Sequence, residues 1–236
     1  MRVVFIHGAF SRDGAWWWAP VAALLERSGI ASTAVALPSC GESGVAPTGT
    51  GPGLHDDAAA ATAVLDDGGP AILVGHSYGG IVVCQAGEHP AVQALVYISS
   101  FLPAAGEDLA SSSSGPAPVP VIAHEDGSVS LDDRDTTATD ERFLHDVTDP
   151  GLVRGAHERL CAQSAVVFGA ATTAAAWERI PSTYLVCAQE RHTGPNVQRA
   201  QATRATIVHE LAAGHFPFLS HPDLVAARID EIARRA

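Results

Sequence analysis

The sequence predicts an α/β fold, a mostly parallel sheet with helices on both faces and an inserted cap. Three observations carry that expectation. Short, continuous apolar runs recur along the chain, as strands buried on both faces require. They alternate with stretches of helical character, the order of elements that gives a parallel sheet. A chain of 236 residues, 47% of them apolar, is long enough to bury one such core.

In order, residues 3–6 read as a strand and 17–28 as the first helix, with Gly29 beyond its end. A strand over 31–37 and a helix over 54–67 follow. Residues 71–74 form the next apolar run, and a helix from Ile81 ends at His89, before Pro90. Strands over 94–99, 183–188 and 206–211 and a helix over 222–235 complete the core. Between 104 and 176 the rhythm breaks, first in the Ser- and Pro-rich stretch 111–120, then in the acidic segment 125–140. The expected organisation is therefore a core of residues 1–103 and 177–236, with 104–176 inserted as a cap whose helices span 139–147 and 152–168.

The most informative segment is Gly75-His76-Ser77-Tyr78-Gly79, which sits where an apolar strand turns into a helix. This is the G-x-S-x-G pattern of a nucleophile elbow. The turn strains the serine backbone and leaves no room for side chains two residues to either side. Ser77 is the candidate nucleophile. A nucleophilic serine needs a base, an acid that orients the base, and donors for the oxyanion, and in this architecture acid and base follow the serine in chain order. His215 stands in the loop after the last strand and is the candidate base, whereas His192, His209 and His221 have no comparable strand-end position. Glu190, the first carboxylate beyond the strand over 183–188, is the candidate acid, because functional groups lie outside the carboxyl ends of strands in open α/β sheets. Asp108, in the loop after the strand over 94–99, is its rival, and Glu107 a weaker one. Backbone amides of Ala9, in the turn His7-Gly8-Ala9-Phe10, and of Tyr78 are the expected oxyanion donors. His7 reads as a structural tie for that turn.

Together HGAF, VGHSYGG, YISSFLP, YLVCAQE and GHFPFLSHPD resemble an α/β-hydrolase, and more narrowly the compact esterase and hydroxynitrile lyase group that includes plant methyl-salicylate and methyl-jasmonate esterases. The resemblance covers nearly the whole core and fades between about residues 104 and 176. It implies a serine hydrolase acting on a carboxylic ester, thioester or lactone through an acyl-serine. In that group the acid is usually Asp, so Glu190 departs from the pattern by one methylene, which keeps Asp108 open. The lyases of the group carry threonine where Gly8 stands and lysine where Phe216 stands. This chain has no lysine, all fourteen basic residues being arginine. That absence also removes lysine Schiff-base and P-loop chemistry. Hydrolysis is the expected activity. A receptor-like binding protein that retains the triad but scarcely turns over is the alternative from another class.

A net charge of −12 argues against nucleic acid and anionic membranes as partners. No apolar run approaches the roughly eighteen residues of a membrane-spanning helix. Met1 runs straight into a core strand without the features of a secretory signal, so a cytoplasmic location is expected. Cys40, Cys84, Cys161 and Cys187 are scattered and expected to be reduced thiols. His55-Asp56-Asp57 is the nearest approach to a metal cluster, but its place at a helix start points to capping, and no metal or other cofactor is expected. The expected partner is a small molecule; the oligomeric state is open. Phe10, Trp17, Phe101, Phe143, Phe168 and Phe216 are expected to line an apolar substrate pocket. The run Trp16-Trp17-Trp18 cannot all face that pocket, since three consecutive helical residues point different ways.

Overall fold

The computed structural model describes residues 1–109, 120–132, 134 and 136–235. Strands and helices alternate through its first half: β1 (Arg2–Ile6), α1 (Gly14–Arg27), β2 (Ser32–Ala34), α2 (Leu54–Asp66), β3 (Ala71–His76), α3 (Gly79–Ala86) and β4 (Val92–Ile98). Three short strands follow, β5 (Val121–Ala123), β6 (Ser128–Leu131) and β7 (Gln163–Ser164). The chain then returns to β8 (Ser182–Cys187), the helix Pro195–Ala202, β9 (Ile207–Leu211) and the helices Pro217–Ser220 and Pro222–Ala233. Six strands form one sheet in the order β2-β1-β3-β4-β8-β9, and every pairing in it is parallel. All its carboxyl ends therefore open on one edge.

Both faces of the central strands β1, β3, β4 and β8 are buried, which is why they read as continuous apolar runs, whereas the edge strands β2 and β9 are more exposed. Val3, Phe5, Ile72, Val74, Val96 and Leu185 face α1 and the C-terminal helix, while Val4, Ile6, Leu73, Leu95 and Val186 face α2 and α3. Successive residues thus alternate between the two cores, as the pleat demands. The tryptophan run divides as helical geometry requires. Trp18 stacks on Phe5 at 4.4 Å between ring centroids, Trp17 meets Phe216 at 4.9 Å, and Trp16 lies under the Arg159 guanidinium at 4.4 Å. The four cysteines are free thiols, and burial pushes Cys84 up to about 12.

The chain between β4 and β8 differs from expectation. β5 and β6 form a hairpin about Gly127, whose φ of 81° suits the turn, and β7 pairs with β6. The helix expected over 152–168 is two short helices, Pro150–His157 and Val166–Gly169, with β7 between them. The break occurs where the backbone leaves its own helix to bond the core: Leu160 bridges Ser11, and the Cys161 amide donates to the Phe10 carbonyl at 2.9 Å. The helix expected over 139–147 is a single turn, Thr137–Thr139, that widens into a π-helix over Asp140–Leu144. Apart from Pro120, the stretch 111–120 lies outside the described residues. Among the described residues no helix is long and apolar enough to cross a membrane.

Candidate active site

Ser77 follows β3 directly, and its φ of 51° is a left-handed conformation that side chains disfavour. The surroundings hold it there. Its amide donates to the Ile98 carbonyl at 3.1 Å, and its carbonyl accepts from the Gly80 amide at 3.0 Å and the Ser100 hydroxyl at 2.7 Å. Ser100 is fixed in turn by Tyr184, whose hydroxyl donates to the Ser100 carbonyl and accepts from its amide. The flanking glycines are steric necessities. A Cβ on Gly75 would sit 2.6 Å from the Gly79 carbonyl oxygen, and one on Gly80 would run into the Ser100 hydroxyl.

The loops after β8 and β9 bring Glu190 and His215 together. Both are almost fully buried, with the Nδ1 of His215 3.1 Å from Oε1 of Glu190. The extra methylene of glutamate is absorbed because the side chain folds back into its own loop. Its oxygens accept from the amides of His192 at 2.6 Å, Thr193 at 3.0 Å and Gly194 at 2.5 Å. Burial pushes this carboxyl up, but the bond and charge of His215 and the amides of His192 and Gly194 outweigh it and hold it at about 2. Glu190 pairs with neither Arg191 nor Arg179; Arg179 lies against Glu88. Ser99, the residue after β4, places its hydroxyl 3.4 Å from the same histidine nitrogen. Asp108 sits half-buried farther along that loop, and Glu107 pairs with Arg204.

Other side chains fix the His215 backbone. His76 Nε2 donates to the His215 carbonyl at 2.9 Å, and the two rings meet edge to face. Burial and the neighbouring His215 push His76 well below the usual histidine range, so it is neutral with its proton on Nε2. Asp146, on the segment between β4 and β8, accepts from the Gly214 amide at 2.6 Å. Nothing in the local sequence marks His76 or Asp146, because their partners are 139 and 68 residues away.

The turn after β1 is tied down as expected. His7 Nε2 lies 2.7 Å from Glu42, which also accepts from the amides of Asp13 and Leu37 at 2.7 Å each. Burial alone would lower His7, yet its hydrogen bond and attraction to Glu42 leave it raised. Among the described residues, no hydrogen bond takes the amide of Ala9 or of Tyr78.

A cavity of about 460 Å³ opens on this edge of the sheet. Its wall includes Ser77, His215, Ala9 and Tyr78 and all six aromatic residues expected there: Phe10, Trp17, Phe101, Phe143, Phe168 and Phe216. Val121, Val129 and Leu131, from the β5–β6 hairpin, close it from above. His192 also lines it, against the expectation that it lacks a useful position. The loop after β8 turns back at Glu190 and brings the His192 ring edge-on to His215, 5.7 Å between centroids. The carboxylates of the His55 cluster do helix-end and internal work: Asp56 accepts from the Gly53 amide, and Asp57 is buried among hydroxyls. Among the described residues no group of three or more potential ligands could hold a metal ion.

Comparison with known proteins decides the family. The profile of the alpha/beta hydrolase family matches residues 3–228. The chain is an α/β hydrolase. Its sequence is 29% identical, over 99% of its length and 97% of the relative's, to alpha/beta hydrolase nvfD of Aspergillus novofumigatus. Among solved structures, a pyrethroid hydrolase from Sphingobium faniae superposes with a TM-score of 0.82 at 23% identity, covering 99% of this chain and 97% of that one. A methylesterase from Arabidopsis superposes at 0.79 with 19% identity over the whole of both chains. At these identities the superpositions speak to the fold. This α/β hydrolase thus has hydrolases and esterases as its structural neighbours.

Proposed function

We propose that this α/β hydrolase is a carboxylic ester hydrolase that works through an acyl-serine on Ser77. The observation that carries the reading is the buried pair of Glu190 Oε1 and His215 Nδ1 at 3.1 Å, whose histidine lines the same cavity as a strained serine. With Nδ1 protonated and held by Glu190, the lone pair of His215 is on Nε2, the nitrogen that can take the Ser77 proton. Ser77 Oγ then attacks the ester carbonyl carbon, and the carbonyl oxygen becomes an oxyanion that accepts from the amides of Ala9 and Tyr78. The imidazolium is stabilised by the Glu190 carboxylate. It returns its proton to the leaving alcohol as the C–O bond breaks, and water repeats the sequence on the acyl-serine, releasing the acid and restoring Ser77.

The substrate we infer is small and largely apolar. Five phenylalanines and Trp17 line the cavity, and among the described residues no arginine does. That lack of a cation also weighs against expulsion of an anionic leaving group such as cyanide, in keeping with a chain without lysine. We assign residues 104–176 the part of a cap, since they supply the hairpin and Phe143 and Phe168 over Ser77. A thioester or lactone passes through the same oxyanion and belongs to the same reading. Steady-state release of p-nitrophenol from short-chain esters, together with fluorophosphonate labelling, is the test. Turnover with a label on Ser77 supports the hydrolase; a label without turnover points to a receptor, and no label overturns the serine reading.

A further inference from the structure

A continuous chain of buried hydrogen bonds joins the two backbone segments from which the oxyanion donors come. It begins at Tyr78, whose ring is 1% exposed and whose hydroxyl donates to Asp57 Oδ2 at 2.6 Å. Asp57 also accepts from the Ser39 hydroxyl at 2.5 Å and from the Ser39 amide at 2.9 Å. Ser39 Oγ accepts from Gln163 Nε2 at 3.0 Å, and Gln163 Oε1 accepts from the Phe10 amide at 2.8 Å. Ser39, Asp57 and Gln163 are all fully buried. Tyr78 and Phe10 are thereby connected across residues that stand far apart in sequence.

The direction of every bond is dictated. An ionised Asp57 only accepts, so both hydroxyls must point at it. The Ser39 hydroxyl, having given its proton to Asp57, can offer Gln163 only a lone pair, so the amide nitrogen of Gln163 must face Ser39. Its carbonyl oxygen must then face Phe10. Phe10 is itself in a left-handed conformation, with a φ of 58°, and its carbonyl is held by the Cys161 amide. The inserted segment therefore grips the peptide on both sides of the Phe10 α-carbon, one residue from Ala9. Burial raises Asp57 from its usual value against the hydrogen bonds of Ser39 and Tyr78 and the attraction of His7.

We propose that Gln163 is a positioning residue for the oxyanion site, registering the Ala9 loop against Tyr78 through Ser39 and Asp57. This rests on the serine hydrolase reading. Under it the segment 104–176 does more than cover the cavity, because its β7 strand sets the geometry of a catalytic element in the core. A buried network is worth most when complete, and removal of one member leaves the next without a partner. A loose oxyanion site loses transition-state stabilisation while ground-state binding in an apolar pocket is spared.

The experiment replaces Gln163 by methionine, which keeps the length and apolar volume but bonds neither Phe10 nor Ser39. Rates on a p-nitrophenyl ester are normalised to sites titrated with a fluorophosphonate. We expect Gln163→Met to lower kcat per titrated site roughly 10- to 100-fold, with KM within about twofold. Affinity for a trifluoromethyl ketone, whose hemiketal oxygen occupies the oxyanion site, should fall by a similar factor. Tyr78→Phe removes a single oxygen at the other end of the chain and carries the same test should Gln163→Met fail to fold. The double variant should be scarcely slower than the slower single one. A residue that merely held the fold would lower the number of titrated sites and leave kcat per site alone. That outcome, a loss confined to KM, or an unchanged ketone affinity overturns the proposal. If the wild-type protein takes no label, the serine reading falls and this inference with it; if it labels and turns over while both variants match it per site, the inference alone falls.

Discussion

A Cβ built on Gly79 would lie 2.6 Å from the carbonyl oxygen of His7, so the start of α3 and the end of β1 touch backbone to backbone. The elbow therefore packs without a gap against the end of β1, from which the turn that carries Ala9 begins. Gly79→Ala must push these segments apart, since a carbonyl oxygen cannot rotate away as a side chain does. We expect a destabilisation on the order of 2–3 kcal/mol, at the upper end for overpacking, together with loss of most ester hydrolysis. Chemical denaturation and rates on the same preparation check it; an unchanged midpoint with wild-type turnover would mean that the contact relaxes freely.

Ser77, the proposed nucleophile, has a φ of 51°, so its conformation costs stability wherever the side chain is not glycine. Ser77→Ala should abolish hydrolysis by about a thousandfold or more and leave the melting temperature close to wild type. Ser77→Gly should be equally inactive but more stable by roughly 1 kcal/mol, because glycine adopts this region without penalty. Differential scanning calorimetry on the two variants separates these outcomes. Equal stability of the glycine and alanine forms would show that no strain is held at the elbow.

The carboxylate against His215 Nδ1 is that of Glu190, and this bears on the choice between the two acids. Glu190→Gln keeps the shape but loses the charge that stabilises the imidazolium, and its amide nitrogen would face donors on every side. Turnover should fall by several orders of magnitude, whereas Asp108→Asn should change it little. Comparison of kcat/KM for the two purified variants decides the matter. The opposite ranking would assign the orienting role to the loop after Ser99.

How far the sequence could be read depended on whether a residue's meaning was local. Ser77, Glu190 and His215 each stand just past the carboxyl end of an apolar run, so chain order and strand position were enough to nominate them, and the structure places Glu190 against His215 and both Ser77 and His215 on one cavity. The five phenylalanines and Trp17 of the cavity were legible from their places beside strand ends or on the first helix, or as large apolar groups in the inserted segment. Gln163 was not, because β7 is two residues long and carries no period-2 signal, and helical character on both sides of it invited one continuous helix. Asp57 looked like a helix-start carboxylate, and only the arrival of Ser39 and Tyr78 from elsewhere in the chain gives it another meaning. The β5–β6 hairpin had a local mark, Asp126-Gly127 between Val121-Ile122 and the alternating Ser128-Val129-Ser130-Leu131, that the acidity of the segment obscured. His192 was obscured by the length of the loop after β8, which doubles back at Glu190.

Acid should weaken the fold at the site. Burial, with the neighbouring His215, pushes His192 from its usual 6.5 down to about 4, and Glu190 is held at about 2 from 4.5. Both folded values lie below the unfolded ones, so in each case the unfolded chain takes up the proton first and stability is lost as pH falls. For His192 the loss runs from about pH 6.5 to about 4, and for Glu190 from about 4.5 to about 2. His76 acts in the same sense, whereas His7, raised by Glu42, acts in the opposite one. The contribution of His192 is isolated by substitution. Between pH 7 and pH 5 it should amount to at most about 2 kcal/mol, at 1.36 kcal/mol per pH unit below the unfolded value. His192→Phe packs against Phe143, which already lies 4.7 Å from the histidine ring, and cannot take up a proton. Urea denaturation at the two pH values should therefore show a smaller fall in stability for His192→Phe than for the wild-type protein. An identical fall would mean that His192 is free to charge in the folded state, and that the wall of the cavity beside His215 is wetter than its aromatic lining implies.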